Sequence, residues 1–188
     1  MTTQNALLQA AERLLEAEGP NAVTTRAVCA AVKVQAPTLY HHFGNKNGLL
    51  DALVARGVEA FLIRKQAVTD TEDALADLIS GWEDFVSFAL DRPQLFRLMV
   101  QRVGDNPKVL DAAMATTDLR LARLADEGRL LADITFAHNA LLALANGVTA
   151  LAAQGIPNAE VEKVGRFLLN GTLETLVGNS PSSASELS

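Results

Sequence analysis

Apolar residues recur along most of this chain with the spacing of an α-helix, and this periodicity restricts the possible folds more than any other feature. In ALLQAAERLLEAEGP the leucines and alanines lie on one helical face, and Gly19-Pro20 ends the pattern. No run alternates apolar and polar residues between turn signals, so strands are not expected. The sequence therefore predicts an all-α fold, with further helices over about residues 25–32, 36–43, a longer stretch after 45, 70–90, a segment restarting at 93, 106–126, 133–154 and 158–176.

Composition supports a folded protein without disulfides. Of the 188 residues, 49% are hydrophobic and 20% charged, which provides enough apolar side chains for a core. Cys29, the single cysteine, can form neither an internal disulfide nor a cysteine metal cluster. No secretory signal precedes the first helix, and the longest apolar segment, residues 136–153, is interrupted by polar residues. We therefore expect a cytoplasmic protein.

Charge is distributed unevenly along the chain. The formal net charge of −6 argues at first against a nucleic-acid partner. Residues 1–65, however, contain seven Lys/Arg and five Asp/Glu, whereas residues 66–188 contain nine Lys/Arg and seventeen Asp/Glu. Such asymmetry indicates different partners for the two parts.

The first fifty residues have the pattern of a helix-turn-helix. Three short helices are predicted there, and Lys33-Val34-Gln35 forms the turn between the last two. Val34 would point inward and hold the pair together. Pro37 suits the first turn of the second helix, where an N–H has no helical partner.

The segment VTTRAVCAAVKVQAPTLYHHFGNKNGLLDAL resembles the DNA-binding domain of the tetracycline-repressor (TetR) family. The resemblance rests on the threonine pair, on Leu-Tyr-x-His-Phe in the second helix and on the Lys-x-x-Leu-Leu that follows. It covers about residues 5–55, and the remainder matches in helical layout and length. It implies a helix-turn-helix domain over residues 1–47 and a helical effector-binding and dimerisation domain over 48–178. Residues 179–188 are small and polar, and this composition predicts a disordered tail.

The resemblance also implies a set of DNA contacts. Thr25 would cap its helix and bind a phosphate, Arg26 would reach a guanine edge or the backbone, and Lys46 would pair with a phosphate. Two positions depart from the family pattern. Lys33 replaces a common glycine, which costs about 1 kcal/mol if that residue is left-handed, and Gln35 or Ala36 replaces a Ser/Thr cap. The implied DNA-binding residues are Thr25, Arg26, Gln35, Ala36, Pro37, Thr38, Tyr40, His41 and Lys46.

The adjacent histidines have other interpretations. Neighbouring side chains on a helix diverge by about 100°, which does not suit metal chelation, so no metal or cofactor is expected. His42 falls on the inner side with Leu39 and Phe43 and favours a packed, hydrogen-bonded role. Cys29 lies between apolar neighbours and is expected to be an inert core thiol, with a redox switch as the alternative.

The larger domain carries two further predicted sites, an effector pocket, for which an ordinary core is the alternative, and a dimer interface. The resemblance implies an effector pocket among closely spaced large apolar residues, with polar groups from His138 and Asn139 in one otherwise apolar helix. The effector set is Trp82, Phe85, Phe88, Phe96, Met99, His138 and Asn139. Small residues among leucines in the last two helices favour a two-fold four-helix interface. The predicted interface residues are Ala143, Gly147, Ala150, Leu168, Gly171 and Thr175.

Taken together, these features predict a homodimeric repressor that leaves a palindromic operator in double-stranded DNA when a largely apolar small molecule binds. The long helix that begins near Lys46 would be the lever between the domains. The alternative is a dimeric module that binds a small molecule or protein and no longer binds DNA. No Ser/His/Asp set, Cys/His set or paired carboxylates point to an enzyme.

Overall fold

A computed structural model describes residues 2–66, 70–103 and 107–178 of the chain. The all-α prediction is confirmed: the described residues form helices joined by short loops, with one isolated antiparallel bridge between Leu130 and Val177. The predicted tail over residues 179–188 lies outside the described residues. The helices are α1 Thr3–Glu18, α2 Thr25–Val32, α3 Ala36–Phe43, α4 Lys46–Gln66, α5 Ala74–Asp91, α6 Pro93–Val103, α7 Pro107–Asp126, α8 Ile134–Ala153 and α9 Asn158–Leu176.

Helix boundaries follow local capping chemistry. Thr2 accepts a hydrogen bond from the Asn5 N–H and starts α1. The helix predicted over about residues 70–90 begins at Ala74, because the Asp73 carboxylate accepts from the N–H groups of Leu75 (3.0 Å) and Ala76 (3.2 Å). Asp133 caps α8 in the same way. In these three helices, a short polar side chain sets the start more sharply than apolar periodicity does.

The chain divides into two compact units. The first comprises Met1–Ile63 and Arg92–Leu110, and the second comprises Arg64–Asp91 and Asp111–Ser188. This division by packing groups residues 48–63 and 92–110 with the N-terminal helices, whereas the sequence assigned them to the second domain.

In the first unit, α6 is attached to α1 and α4 by specific contacts. The Glu16 carboxylate accepts from the backbone N–H groups of Gln94 (3.2 Å) and Leu95 (2.7 Å) at the start of α6. A Cβ placed on Gly57 would lie 2.7 Å from the Met99 sulfur, so α4 and α6 approach closely. These contacts explain why α6 packs with α1 despite the long sequence separation. The fully buried side chains around them are Leu7, Leu15, Val23, Val28, Leu39, Leu49, Leu53 and Leu95.

In the second unit, α5, α8 and α9 share an apolar core that contains Trp82 and Val148. Asp77 and Arg120, two charged groups buried beside this core, are paired. The Asp77 carboxylate accepts from Thr71 and from Arg123 (2.7 Å). The Arg120 guanidinium, almost fully buried, donates twice to one Asp70 oxygen.

Helix α8 is unusually apolar for the burial it receives. Among the described residues, it is the one helix that length and composition would allow to cross a membrane, with a mean hydropathy of 1.3. A single such helix is weak evidence for a membrane span, because core helices of soluble proteins pass the same test. Only 28% of this stretch is buried. A helix of this kind therefore presents much of its apolar surface outside the core of its own chain.

Candidate nucleic-acid interface

Helix α2 is capped by Thr24, and the expected cap at Thr25 is wrong. The Thr24 backbone is extended, and its hydroxyl accepts from the Ala27 N–H at 3.1 Å. A threonine pair offers two equivalent candidates in sequence, and only the backbone conformation separates them. Thr25 is therefore the first helical residue and is half-buried, and the next residue, Arg26, is exposed.

The turn between α2 and α3 places a lysine in the left-handed region. Lys33 has φ 59° and ψ 43°, and its N–H donates to the Ala30 carbonyl at 3.2 Å. The Val34 N–H donates to the Cys29 carbonyl at 3.0 Å, so the two bonds form a Schellman motif. Because Lys33 is left-handed, the destabilisation expected for a lysine at this position applies, and it costs about 1 kcal/mol relative to glycine. The Lys33 side chain is exposed and gives the turn a positive charge.

Helix α3 begins without a side-chain cap. Gln35 holds the extended N-cap position, its side chain makes no capping hydrogen bond, and its carbonyl accepts from the Thr38 N–H at 3.0 Å. Pro37, the second helical residue, has no N–H to satisfy. Gln35 and Pro37 are exposed, whereas Ala36 and Thr38 are partly exposed. The leading turn of α3 is thus open to solvent, as a groove-reading helix requires.

Opposite faces of α3 differ in burial. Leu39 is completely buried, whereas Tyr40 is 48% exposed and His41 is also exposed. His42 and Phe43 are partly buried. The rings of His41 and His42 meet edge to face with centroids 5.3 Å apart, closer than the expected divergence of neighbouring side chains suggests. The helix has one core face and one polar, aromatic outer face.

A tight junction joins α3 to α4. Gly44 has φ 73°, which favours glycine, and its N–H donates to the Tyr40 carbonyl at 2.8 Å. The Asn45 side chain accepts from the Gly48 N–H at 3.0 Å and starts α4. Lys46 is exposed in the first turn. The junction therefore fixes this lysine relative to the outer face of α3.

Carboxylates are absent from the whole helix-turn-helix segment. Between Glu18 and Asp51 the sequence contains no Asp or Glu, and Arg26, Lys33 and Lys46 supply positive charge. In the same unit, two of the three carboxylates of α1 are engaged elsewhere, since Glu12 pairs with Arg56 and Glu16 holds the start of α6. All five Asp/Glu residues in the first 65 positions lie outside residues 19–50, so the net charge of the whole N-terminal part does not reveal this local feature. A nucleic-acid surface needs positive potential without competing carboxylates, and this segment provides it.

The predicted effector residues do not gather in one unit. Phe96 and Met99 belong to the first unit, and the remaining members belong to the second. Within the second unit, the Nδ1 atom of His138 lies 2.5 Å from an Asp118 oxygen, and Asn139 is exposed. Trp82 and Phe88 are buried, and Phe85 is partly buried. The pocket stays a prediction.

The predicted interface residues are all exposed on α8 and α9. They are Ala143, Gly147, Ala150, Leu168, Gly171 and Thr175. A shallow groove on these two helices is lined by Phe136, Ala140, Phe167, Leu168, Gly171 and Thr175, among others, and so includes the α9 members of the set but none of the α8 members. Phe136 is 63% exposed and Phe167 is 77% exposed, values that are high for phenylalanine in a folded chain. The sequence pattern indicated small residues on both helices, but the two phenylalanines of the groove were not predicted as interface residues.

Known proteins resemble this chain in sequence and in fold. Residues 7–53 match the family described as "Bacterial regulatory proteins, tetR family". The class A tetracycline repressor from transposon 1721 of Escherichia coli is 30% identical over 146 residues, which are 74% of this chain and 61% of that repressor. The class C tetracycline repressor of Escherichia coli is 28% identical over 179 residues, 92% of this chain and 75% of the repressor.

A solved structure supports the fold over nearly the full length. A TetR transcription regulator from Haloarcula marismortui superimposes with a TM-score of 0.78 at 16% identity, covering 93% of this chain and 98% of that one. This likeness concerns the fold alone. The helix-turn-helix match and the sequence relatives carry the assignment: the chain belongs to the TetR family of bacterial regulatory proteins.

Proposed function

We propose that the chain is a ligand-responsive, DNA-binding transcriptional repressor that acts as a homodimer on a palindromic operator. The observation that carries the proposal is the outer face of the helix-turn-helix. There Arg26, Lys33, Tyr40, His41 and Lys46 are exposed in a segment without a single carboxylate. Arginine and lysine neutralise phosphates, and an arginine can also read a guanine in the major groove.

The uncovered surface of α8 and α9 supports a second copy as its partner. Two recognition helices must enter successive major grooves about 34–36 Å apart to read a palindrome, and a symmetric dimer provides that spacing. At Gly147 and Gly171 an added Cβ would meet no atom within 4 Å, so these small residues leave room for another helix to approach. Phe136 and Phe167 supply apolar area for the interface.

Release of the operator would follow from a difference in effector affinity between two conformations. An effector that prefers a dimer with wrongly spaced recognition helices shifts the population away from the DNA-bound state. Helix α4 runs from Lys46, beside the recognition helix, through the boundary between the units after Ile63. It is therefore our candidate for the lever.

Selection of bound sequences from random duplex DNA tests the proposal. We expect an enriched palindrome and an affinity that falls steeply with salt, because each phosphate contact releases counterions. An enriched site without two-fold symmetry would contradict the dimeric mode. The absence of any enriched sequence, together with salt-independent behaviour, would favour the module that no longer binds DNA.

A further inference from the structure

Trp82, the only tryptophan of the chain, is held tightly inside the second unit. Its side chain belongs to the apolar core formed by α5, α8 and α9, and the residue is 8% exposed. A Cβ added to Gly165 would lie 2.9 Å from the Trp82 Cη2 atom and 3.2 Å from a Val148 methyl group. The six-membered ring is thus packed directly against the backbone of α9.

The indole N–H of Trp82 has no hydrogen-bond partner among the described residues. Buried hydrogen-bond donors in folded proteins are nearly always paired, so an unpaired donor requires an explanation. The Asp84 Oδ2 and Arg129 Nε atoms are also unpaired, but each belongs to a charged group that pairs through another atom. Trp82 has no second polar atom, and its polar function is therefore wholly unused.

The buried polar residues Asp77, Arg120 and Thr149 of the same unit all have hydrogen-bond partners within the chain. The Thr149 hydroxyl donates to the Ala145 carbonyl at 2.9 Å. The Asp77 carboxylate is matched by Thr71 and Arg123, and Arg120 is matched by Asp70. These charged groups already have partners, so a charged ligand in this core would find no unpaired opposite charge among them. A neutral acceptor is the chemistry that the free indole N–H can accommodate.

We infer that Trp82 donates a hydrogen bond to the effector, and that the effector class is a neutral, mostly apolar molecule carrying a carbonyl or ether oxygen. The inference rests on the proposed function, because it assigns part of the effector site within the second unit. The apolar body of such a molecule replaces side-chain contacts in the core, and its oxygen supplies the acceptor that the chain lacks.

A matched pair of probes tests this with the full-length chain. The bicyclic ketone 1-tetralone and the hydrocarbon tetralin differ in one carbonyl group. With ¹⁵N-labelled indole, the single tryptophan gives a single indole N–H resonance, which reports on Trp82 alone. We expect 1-tetralone to bind about tenfold more tightly than tetralin and to shift this resonance, since a buried donor gains its acceptor. Equal affinities, an unmoved resonance, or no binding of either probe would overturn the inference.

Trp82→Phe is the matched variant, because it removes the N–H and keeps an aromatic ring. It should bring the two probes to equal affinity, and its unfolding temperature should fall because the smaller ring leaves a cavity beside Gly165. A continued tenfold preference for the ketone would contradict the role. Failure of the wild-type chain to bind any DNA would remove the proposed function, and the probe measurements would still decide whether Trp82 is a ligand donor.

Discussion

Gly48 lies so close to Phe43 that a Cβ on the glycine would sit 2.0 Å from the phenylalanine carbonyl oxygen. This oxygen is a backbone atom and cannot rotate away, so the close approach of α3 and α4 depends on the missing side chain. Gly48→Ala should therefore force the two helices apart. We expect a loss of about 1–3 kcal/mol in the free energy of unfolding, as for overpacked sites. Calorimetry measures this loss of stability. Operator titration measures the loss of DNA affinity that we expect when α3 and α4 move apart.

The same substitution should leave the oligomeric state intact, because Gly48 is remote in sequence from the predicted interface in α8 and α9. Sedimentation of Gly48→Ala provides this control. Wild-type stability together with wild-type operator affinity would show that the junction relaxes freely and does not hold Lys46 in a fixed position relative to α3.

Lys46→Ala should weaken operator binding without changing specificity. The lysine is exposed at the start of α4, where free N–H groups and its own charge attract a phosphate. Loss of one phosphate contact lowers the slope of log affinity against log salt by about 0.9. Fluorescence anisotropy over a salt series measures this slope.

Lys163→Ala is the matched control for that measurement, since Lys163 is an exposed lysine of α9 outside the helix-turn-helix. It should reproduce the wild-type slope. An unchanged slope in Lys46→Ala, or an equal change in both variants, would count against the proposed docking.

Lys33 should show opposite effects on stability and on DNA affinity. Its left-handed backbone favours glycine or asparagine, so Lys33→Gly should raise the free energy of unfolding by up to about 1 kcal/mol. The same change removes an exposed cation from the turn, and operator affinity should fall. Urea unfolding and operator titration on the same samples measure both quantities.

Lys33→Asn repeats the removal of the positive charge with a residue that has a side chain and still tolerates the left-handed region. It should match the glycine variant in DNA affinity. If either variant binds operator as tightly as the wild type, the turn does not approach the duplex.

Asp77 should make the chain sensitive to acid. Burial acts to raise the pKa of this carboxyl, but hydrogen bonds from the Thr71 backbone and from Arg123 outweigh it, so the pKa lies below its ordinary value of 3.8. A carboxyl with a lowered folded-state pKa stabilises the fold above its ordinary pKa, and this contribution disappears as the pH falls through the folded-state value. Asp77→Asn should therefore lower stability at neutral pH and flatten the decline below about pH 4.

Urea unfolding at a series of pH values checks this difference. Asp133→Asn is a suitable control, since that exposed carboxylate caps α8 without a cationic partner in the described contacts. An Asp77→Asn curve parallel to the wild type in acid would rule out the assigned role.

Gly171→Glu should dissociate the dimer while the monomer stays folded. The glycine is exposed and has no atom within 4 Å of a Cβ position, so the chain itself accommodates a side chain there. A buried carboxylate at a subunit interface without a partner is strongly unfavourable. Light scattering should report half the mass, and circular dichroism should report unchanged helix content. Ala159→Glu, on an exposed position of α9 outside the groove, should remain dimeric, and a dimeric Gly171→Glu would place the interface elsewhere.

Local sequence signals predicted the helices of the DNA-binding segment well. The bounds expected for α2 and α3 agree with the structure, because turn residues and apolar spacing act over a few residues. The capping error at Thr25 arose where two adjacent threonines offered the same chemistry. The grouping of α6 with α1 could not be read from the sequence, since it depends on Glu16 meeting residues almost eighty positions away. The contact between Gly48 and Phe43 likewise becomes visible only when two helices are placed together.

Helix α8 is rich in apolar residues, yet one copy of the chain leaves most of it uncovered. Because the proposed dimer forms through this surface, the cellular concentration of the chain itself controls how much DNA-binding dimer is present. Below the dissociation constant of the dimer, the DNA-binding species increases with the square of the chain concentration. Halving synthesis would then reduce the active form about fourfold. The regulated promoter would therefore respond to the dosage of its repressor more steeply than a monomeric regulator would allow, even before any effector enters the cell.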